Sequence, residues 1–292
     1  MQITLIVKPH APAIMDRLRA AAGRLRADGH HVSFHVTWKA KDIEELARRS
    51  VGGADLVVVA GGDGTLNRAV HGLMSGDGEP PPLAVIPLGT ANDFARSRGI
   101  PTDVDEAMEV ALCGRRRRVD VACANDRWFI NVSTGGFGAS ATRRARRGLK
   151  RRLGAAAYLV TGARLLLRLR PERARFVVDG AVVHDGPFMF FAVANGEQTG
   201  GGTPVAPLAD VRDGRLDLTV VRTRSRTRFI RLLPRLRAGT HIDDPDVLYT
   251  RGSRIEVRAP RAIDVNLDGE PMRIAEVRYS VHMRSLEIMH PQ

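Results

Sequence analysis

Cysteine is nearly absent: Cys113 and Cys123 are the only two in 292 residues, and their spacing fits no metal-binding pattern. That excludes a disulfide framework and a thiolate metal site, and it points to a reducing compartment. Aromatic residues make up only 5% of the chain, with three Tyr and two Trp, too few to build a base-stacking platform. No stretch approaches about 18 uninterrupted apolar residues, so no helical membrane span is expected. The chain opens directly on the strand-like run Ile3 to Val7, without a signal-peptide pattern. A soluble, cytoplasmic protein is expected, with any membrane contact peripheral. Lysine is scarce as well, 4 residues against 41 Arg, a bias that genome composition alone can produce.

What is abundant is positive charge, and it is local. The net charge is +13, yet residues 143–175 hold 12 basic residues against one acid, and residues 222–237 hold seven against none. Together these segments carry more than the whole net charge, so a face that meets polyanions is expected. Arg143 to Arg152 (RRARRGLKRR) lacks interleaved aromatics but is followed by Leu153, Tyr158, Leu159 and Leu165 to Leu167. A helix lying on an anionic membrane fits that pattern better than a nucleic-acid contact, and a solvated helix face is the plainer alternative.

Hydrophobic content of 43% supports a full core. In the first part, strand-like runs (residues 3–7, 32–38, 56–60, 83–86) alternate with helical patterns (14–25, 42–49, 66–74, 103–112). That alternation predicts an α/β domain with a parallel sheet, whose ligands bind beyond the carboxyl ends of the strands. After Arg115 to Arg118 the character changes to short strands, interrupted by helical stretches near 149–168 and 226–237. The expected organisation is an α/β domain over residues 1–118 and a β-sandwich-like domain over 119–292.

The stretch DLVVVAGGDGTLN (Asp55 to Asn67) runs a buried strand into glycines and then a helix. Amides exposed at such a helix start, with the positive end of its dipole, suit a phosphate. The glycines are expected to permit positive φ. Neither common phosphate-loop spacing is present, and a simple tight turn is the alternative. Asp63 is out of place beside a phosphate unless a metal or a donor hydroxyl intervenes. Asn266-Leu267-Asp268-Gly269-Glu270-Pro271 reads first as an Asp-Gly turn, with Glu270 as a candidate general base. Asp210 and Asp213, three apart in a loop, could hold Mg²⁺ or Ca²⁺, although Arg212 and Arg215 weigh against a tight site. Asn195 to Gly202 and Gly135 to Gly138 are either flexible linkers or surfaces for a ligand.

Taken together, VTWKAKD (Val36 to Asp42), GGDGTLN (Gly61 to Asn67), PLGTANDFARSRGIP (Pro87 to Pro101), FINVSTGGFGA (Phe129 to Ala139), NGEQTGGG, DGRLDLTVV and NLDGEP resemble the bacterial diacylglycerol-kinase-like lipid kinases, most closely the YegS type. The resemblance spans nearly the whole chain. It implies ATP-dependent phosphorylation of a hydroxyl on a glycerol-based lipid, diacylglycerol or phosphatidylglycerol, at the inner face of an anionic membrane. It places ATP against Thr37, Gly61, Gly62, Asp63, Gly64, Thr65, Leu66, Asn67, Arg68 and Thr90. It makes Glu270 the proton acceptor and Asp120 a second acidic participant, and puts Mg²⁺ or Ca²⁺ at Asp210, Asp213 and Arg215. Two departures stand out. Arg68 occupies a position where family loops usually carry Glu, and Lys8-Pro9-His10-Ala11 replaces the usual asparagine- and glycine-containing turn. The alternatives are a non-catalytic membrane-binding protein that keeps the fold, or an NAD kinase.

Overall fold

The computed structural model describes residues 1–137 and 170–292. The helical stretch expected near 149–168, the whole Arg143 to Arg152 run and Gly138 lie outside the described residues. The N-terminal half builds β1 (Gln2–Val7), α1 (Pro12–Ala27), β2 (His31–Val36), α2 (Ala40–Ser50), β3 (Leu56–Gly61), α3 (Asp63–Met74), β4 (Leu83–Pro87), α4 (Asp93–Ser97) and α5 (Val104–Cys113). β4, β3, β1 and β2 lie side by side and pair in parallel, as the alternation predicts. β3 (LVVVAG) and β4 (LAVIP) are buried along their whole length because helices cover both faces of the sheet. α3 and α2 pack on one face with Val57, Val59 and Leu83. α1 and α5 pack on the other with Leu5, Val58 and Ile86.

The second half adds β5 (Arg115–Ala124), β6 (Arg127–Phe129), β7 (Val132–Gly136), β8 (Glu172–Val178), β9 (Ala181–Phe188), β10 (Phe190–Ala194), β11 (Leu216–Val221), α6 (Arg226–Ala238), β12 (Val247–Gly252), β13 (Arg254–Leu267) and β14 (Glu270–His290). The Asp179-Gly180 hairpin forms with φ of 46° and 88°, the left-handed pair that a two-residue turn demands. Two features differ from the sequence reading. The pairs of short strands expected at 255–258 and 263–267, and at 277–281 and 286–289, are single long strands broken only by register shifts. Bulges interrupt the hydrophobic alternation without ending the strand. β5 runs through residue 118, and the end of β14 returns to pair with β4 at Ile288 and Leu83. The end of β14 therefore joins the parallel strands and those of the second half into one sheet.

α2 and α3 approach closely because Gly72 faces α2: a Cβ there would lie 2.2 Å from the Glu44 carbonyl oxygen. Alanine is the better helix former, yet Gly72→Ala should destabilise the protein by about 1–3 kcal/mol through overpacking. Denaturant unfolding of the purified variant measures it, and a neutral or stabilising result would refute the close approach.

Candidate active site

Three of the motifs lie at the carboxyl ends of strands in the parallel run: Thr37 after β2, Gly62 after β3 and Gly89-Thr90 after β4. The glycines of the β3–α3 loop do not adopt positive φ. Their purpose is close approach. A Cβ on Gly62 would stand 3.0 Å from Gly89 Cα, and one on Gly89 only 2.6 Å from Gly62 Cα, so the two loops touch backbone to backbone. α3 begins inside the motif, at Asp63, with Thr65 and Leu66 amides bonded to the Gly62 carbonyl. The amides that precede them face the open end of the helix.

Asp63 has a partner that the sequence did not reveal. Its carboxylate faces the main-chain N–H groups of Asn92, Asp93 and Phe94 at the start of α4. Burial raises its pKa, the nearby Asp93 raises it further, and those three amides pull it back. Asp93 in turn accepts the Gly201 amide at 3.0 Å and the Gly202 amide at 2.6 Å. The Asn195 to Gly202 stretch is thus held against α4, with Gly200, Gly201 and Gly202 all at positive φ.

The NLDGEP stretch is the two-residue hairpin between β13 and β14, with Asp268 at φ 43° and Gly269 at φ 92°. Asp268 points inward and accepts amides from Ile130 (2.9 Å), Asn131 (3.0 Å) and Val132 (2.7 Å). With its amide nitrogen facing these acceptors, Asn67 donates to Asp268 Oδ2 at 3.2 Å and to the Trp128 carbonyl at 3.3 Å. Burial pushes the Asp268 carboxyl up to about 7 against the pull of its three amides, and the Asp63 charge adds to the rise.

Glu270 leaves the same hairpin and stands over the start of α3: its Oε1 is 3.9 Å from where a Cβ on Gly64 would lie. Its Oε2 pairs with Arg68 Nη2 at 2.8 Å, while Arg68 Nη1 reaches Glu44 Oε1 at 2.6 Å. The side chains of this Glu44–Arg68–Glu270 relay are only 17 to 22% exposed. Arg68 and Gly72 lie four apart on one face of α3, so the glycine that admits α2 also brings Glu44 to Arg68. The Arg68–Glu270 pair forms a shared wall between two cavities. One, of about 260 Å³, lies over the glycine loop and is lined by Lys8, Thr37, Trp38, Gly64 and Thr65 among others. The other, about 100 Å³, is lined by Glu44, Asn67, His71, Arg127, Trp128 and Met272 among others. Burial, then the Arg127 charge, lower the His71 pKa.

Thr37, Gly64, Thr65, Arg68 and Glu270 therefore converge on one cavity. Thr37 is buried and its hydroxyl donates to the Val7 carbonyl at 3.2 Å. Leu66 turns into the core, and Thr90 lies exposed on the β4 loop. Asp120 sits apart from this cavity's lining. It is fully buried, and its two oxygens accept the amides of Gly214 (2.7 Å) and Arg284 (2.7 Å). It joins the 210–215 loop to β14. In that loop Asp213 accepts the Arg215 amide at 2.9 Å, and Arg212 donates to Asp210 at 3.4 Å. Two carboxylates and the loop's carbonyls are the right hard-oxygen donors for Mg²⁺ or Ca²⁺, although the Asp210 and Val211 carbonyls already accept the Asp213 and Asp120 amides. Among the described residues no group of three acidic, His or Cys side chains forms, so carbonyls and water would complete the shell. Sequence reasoning missed Glu44, Trp38, His71 and Arg127. The only signal for Glu44 was a glycine inside the α3 pattern, at Gly72.

A model of the diacylglycerol kinase catalytic domain matches residues 2–124, and one of the YegS C-terminal NAD kinase beta sandwich-like domain matches residues 131–290. A protein of Chromohalobacter salexigens described as "Probable lipid kinase YegS-like" is 40% identical over 262 residues, covering 89% of this chain and 84% of that one. The "Probable lipid kinase YegS" of Salmonella typhimurium is 37% identical over 272 residues, covering 90% and 88%. Among solved structures, a diacylglycerol kinase from Bacillus anthracis superposes with TM-score 0.81 at 24% identity, covering 99% of this chain and 96% of that one. An NAD kinase from Archaeoglobus fulgidus in complex with ATP shares the fold at TM-score 0.57 and 16% identity, covering 100% of this chain and 94% of that one.

Asp268 predicts a pH dependence of stability. Its folded pKa of about 7 lies above the unfolded value of about 3.9, so the neutral form's stability is complete below the unfolded value and is lost as pH rises through the folded one. Thermal melts of wild type and Asp268→Asn should show the wild type losing ground to the variant between pH 4 and pH 8, approximate bounds set by those two values. Parallel pH profiles would contradict the raised pKa.

Proposed function

The chain belongs to the YegS-type lipid kinases, with a diacylglycerol kinase catalytic domain, and from that premise we propose that it transfers the ATP γ-phosphoryl group to a hydroxyl of a glycerol-based lipid, diacylglycerol or phosphatidylglycerol. One observation carries this reading: a carboxylate from the last hairpin, Glu270, stands over the amino end of α3. The ATP phosphates lie against the open α3 turn at Gly62 to Thr65, where the amides and helix dipole favour anions. ATP bound to the fold-related NAD kinase is in keeping with ATP as the phosphoryl donor. Glu270 accepts the proton of the lipid hydroxyl as its oxygen attacks phosphorus in line. The new O–P bond forms as the β,γ-bridging bond breaks and ADP leaves. Arg68 holds Glu270 in place and adds positive charge beside the phosphates. Asp63 orients the Asn92 loop, and Asp120 positions the 210–215 loop. Asp210 and Asp213, with the Arg215 carbonyl, would hold Mg²⁺ or Ca²⁺, which when bound supplies positive charge that offsets the phosphates.

The membrane contact is proposed on the basic face. On α6, Phe229, Leu232 and Leu236 pack inward, while Arg231, Arg237 and Ile230 are exposed. No helix among the described residues is long and apolar enough to cross a membrane. A cytoplasmic enzyme resting on the inner leaflet fits both, each Arg near the surface contributing roughly 1 kcal/mol.

The test is phosphate transfer from ATP with Mg²⁺ in mixed lipid micelles, the product identified by mass spectrometry. Glu270→Gln should lower kcat by about 10²–10⁴-fold, the range of lost general-base catalysis, with unchanged melting. Transfer at the wild-type rate by Glu270→Gln sinks the mechanism, and formation of NADP without a lipid product sinks the substrate class. Arg68→Ala should lower kcat/KM for ATP by about tenfold or more, the loss of one charge-assisted contact. An unchanged value would remove Arg68 from the phosphate site. Liposome binding should weaken with salt and with Arg231→Gln/Arg237→Gln. Binding insensitive to both would exclude α6 as the contact.

A further inference from the structure

A second cluster of charge lies on the surface beside the 210–215 loop, away from the Glu270 cavities. Arg117, Arg118, Arg212 and Arg284 line one surface cavity of about 450 Å³, with Asp210 as the only acid in its wall. Arg118 is already engaged by Glu79 at 2.7 Å and Glu287 at 3.2 Å, and Arg212 leans on Asp210. Among the described residues, Arg117 and Arg284 have no carboxylate within ion-pair distance. With Arg118 neutralised by its two glutamates, Arg117, Arg212 and Arg284 still face Asp210 alone, and they repel one another unless an anion joins them.

The fold holds this arrangement deliberately tight from below. Arg284 sits at φ 47°, a left-handed conformation unfavourable to a bulky side chain. It occupies the bulge where β14 slips register against β5, between His282 and Leu286. Bulges re-aim side chains. What pins the bulge is Asp120, fully buried, with one oxygen on the Arg284 amide and the other on the Gly214 amide. A single buried carboxylate thus fixes the two segments that carry Arg284 and Arg212 toward the Arg117–Arg118 strand. A strained residue held by a buried charge is worth that cost where the side chain has a ligand.

We infer that Arg117, Arg212 and Arg284 form an anion site for a phosphate group, separate from the cavity over the glycine loop. Arg117 and Arg284 supply the free guanidinium forks, and Arg212 turns from Asp210 to join them, giving bidentate contacts that suit a tetrahedral oxyanion. The ligand is either a soluble phosphate or the phosphate of a phospholipid headgroup, and the site does not depend on the kinase reading above.

The experiment uses the full chain in EDTA, so that no metal bridges the anion. Inorganic phosphate is titrated by calorimetry at low ionic strength, and in parallel sedimentation is measured with vesicles of phosphatidylcholine alone or containing phosphatidic acid. The variant is Arg117→Gln/Arg284→Asn, Asn being tolerated at the left-handed position, and Arg49→Gln/Arg254→Gln is the charge-matched control. The site variant should bind the phosphate probe about tenfold weaker or worse, the loss expected for charge-assisted contacts, while the control binds as wild type and all three melt alike. Loss confined to inorganic phosphate identifies a soluble ligand, and loss extending to phosphatidic acid vesicles identifies a headgroup. Equal binding by wild type and the site variant in both arms, equal loss in the control, or non-saturable binding by wild type overturns the proposal.

Discussion

Main-chain amides captured by buried and half-buried aspartates hold the loops around the candidate site in place. Asp63 faces three amides at the start of α4, Asp93 takes two from the Gly200 to Gly202 stretch, Asp268 takes three at the start of β7, and Asp120 takes two. Each carboxylate satisfies loop amides that no ladder or helix reaches, and an unsatisfied buried amide costs about 1–3 kcal/mol. The loops are therefore rigid where they meet. Asp63 was a candidate by residue type, yet like Asp93 and Asp268 it has its oxygens turned to backbone amides.

That division of labour leaves Glu270 as the carboxylate facing the open end of α3. The turn geometry explains it: with Asp268 and Gly269 both at positive φ, the hairpin sends Asp268 inward and returns Glu270 toward the glycine loop. Arg68 then ties Glu270 to Glu44 on α2. The glutamate usual at position 68 would repel Glu270 and Glu44 in this geometry, and the guanidinium instead links them. The substitution is coherent with its surroundings and gives the site a fixed cation.

The two halves of the chain are bound by more than the segment between them, since their strands form one continuous sheet. β14 runs from the Glu270 hairpin through the second half and ends on β4 of the first half. Arg98 and Glu197 add an ion pair at 3.0 Å between the α4 region and the glycine-rich loop. A carboxylate carried at one end of a strand whose other end is stitched to β4 has little freedom to drift, which is what the proton transfer proposed for Glu270 requires.

By itself the sequence determined the parallel α/β first half, the Asp179-Gly180 and Asp268-Gly269 turns, the phosphate-suited helix start at Gly61 to Thr65, and the family. These are local: hydrophobic period, turn chemistry and glycine position act within a few residues. Only the tertiary structure decided what each charged group does. That Gly62 and Gly89 are small for each other, that Gly72 brings Glu44 to Arg68, that Asp120 supports Arg284 164 residues away, and that two broken patterns are one strand each depend on partners distant in the chain. A carboxylate looks the same in sequence whether it faces a substrate or three amides, because its role is set by the donors around it, and those come from the packing of whole elements.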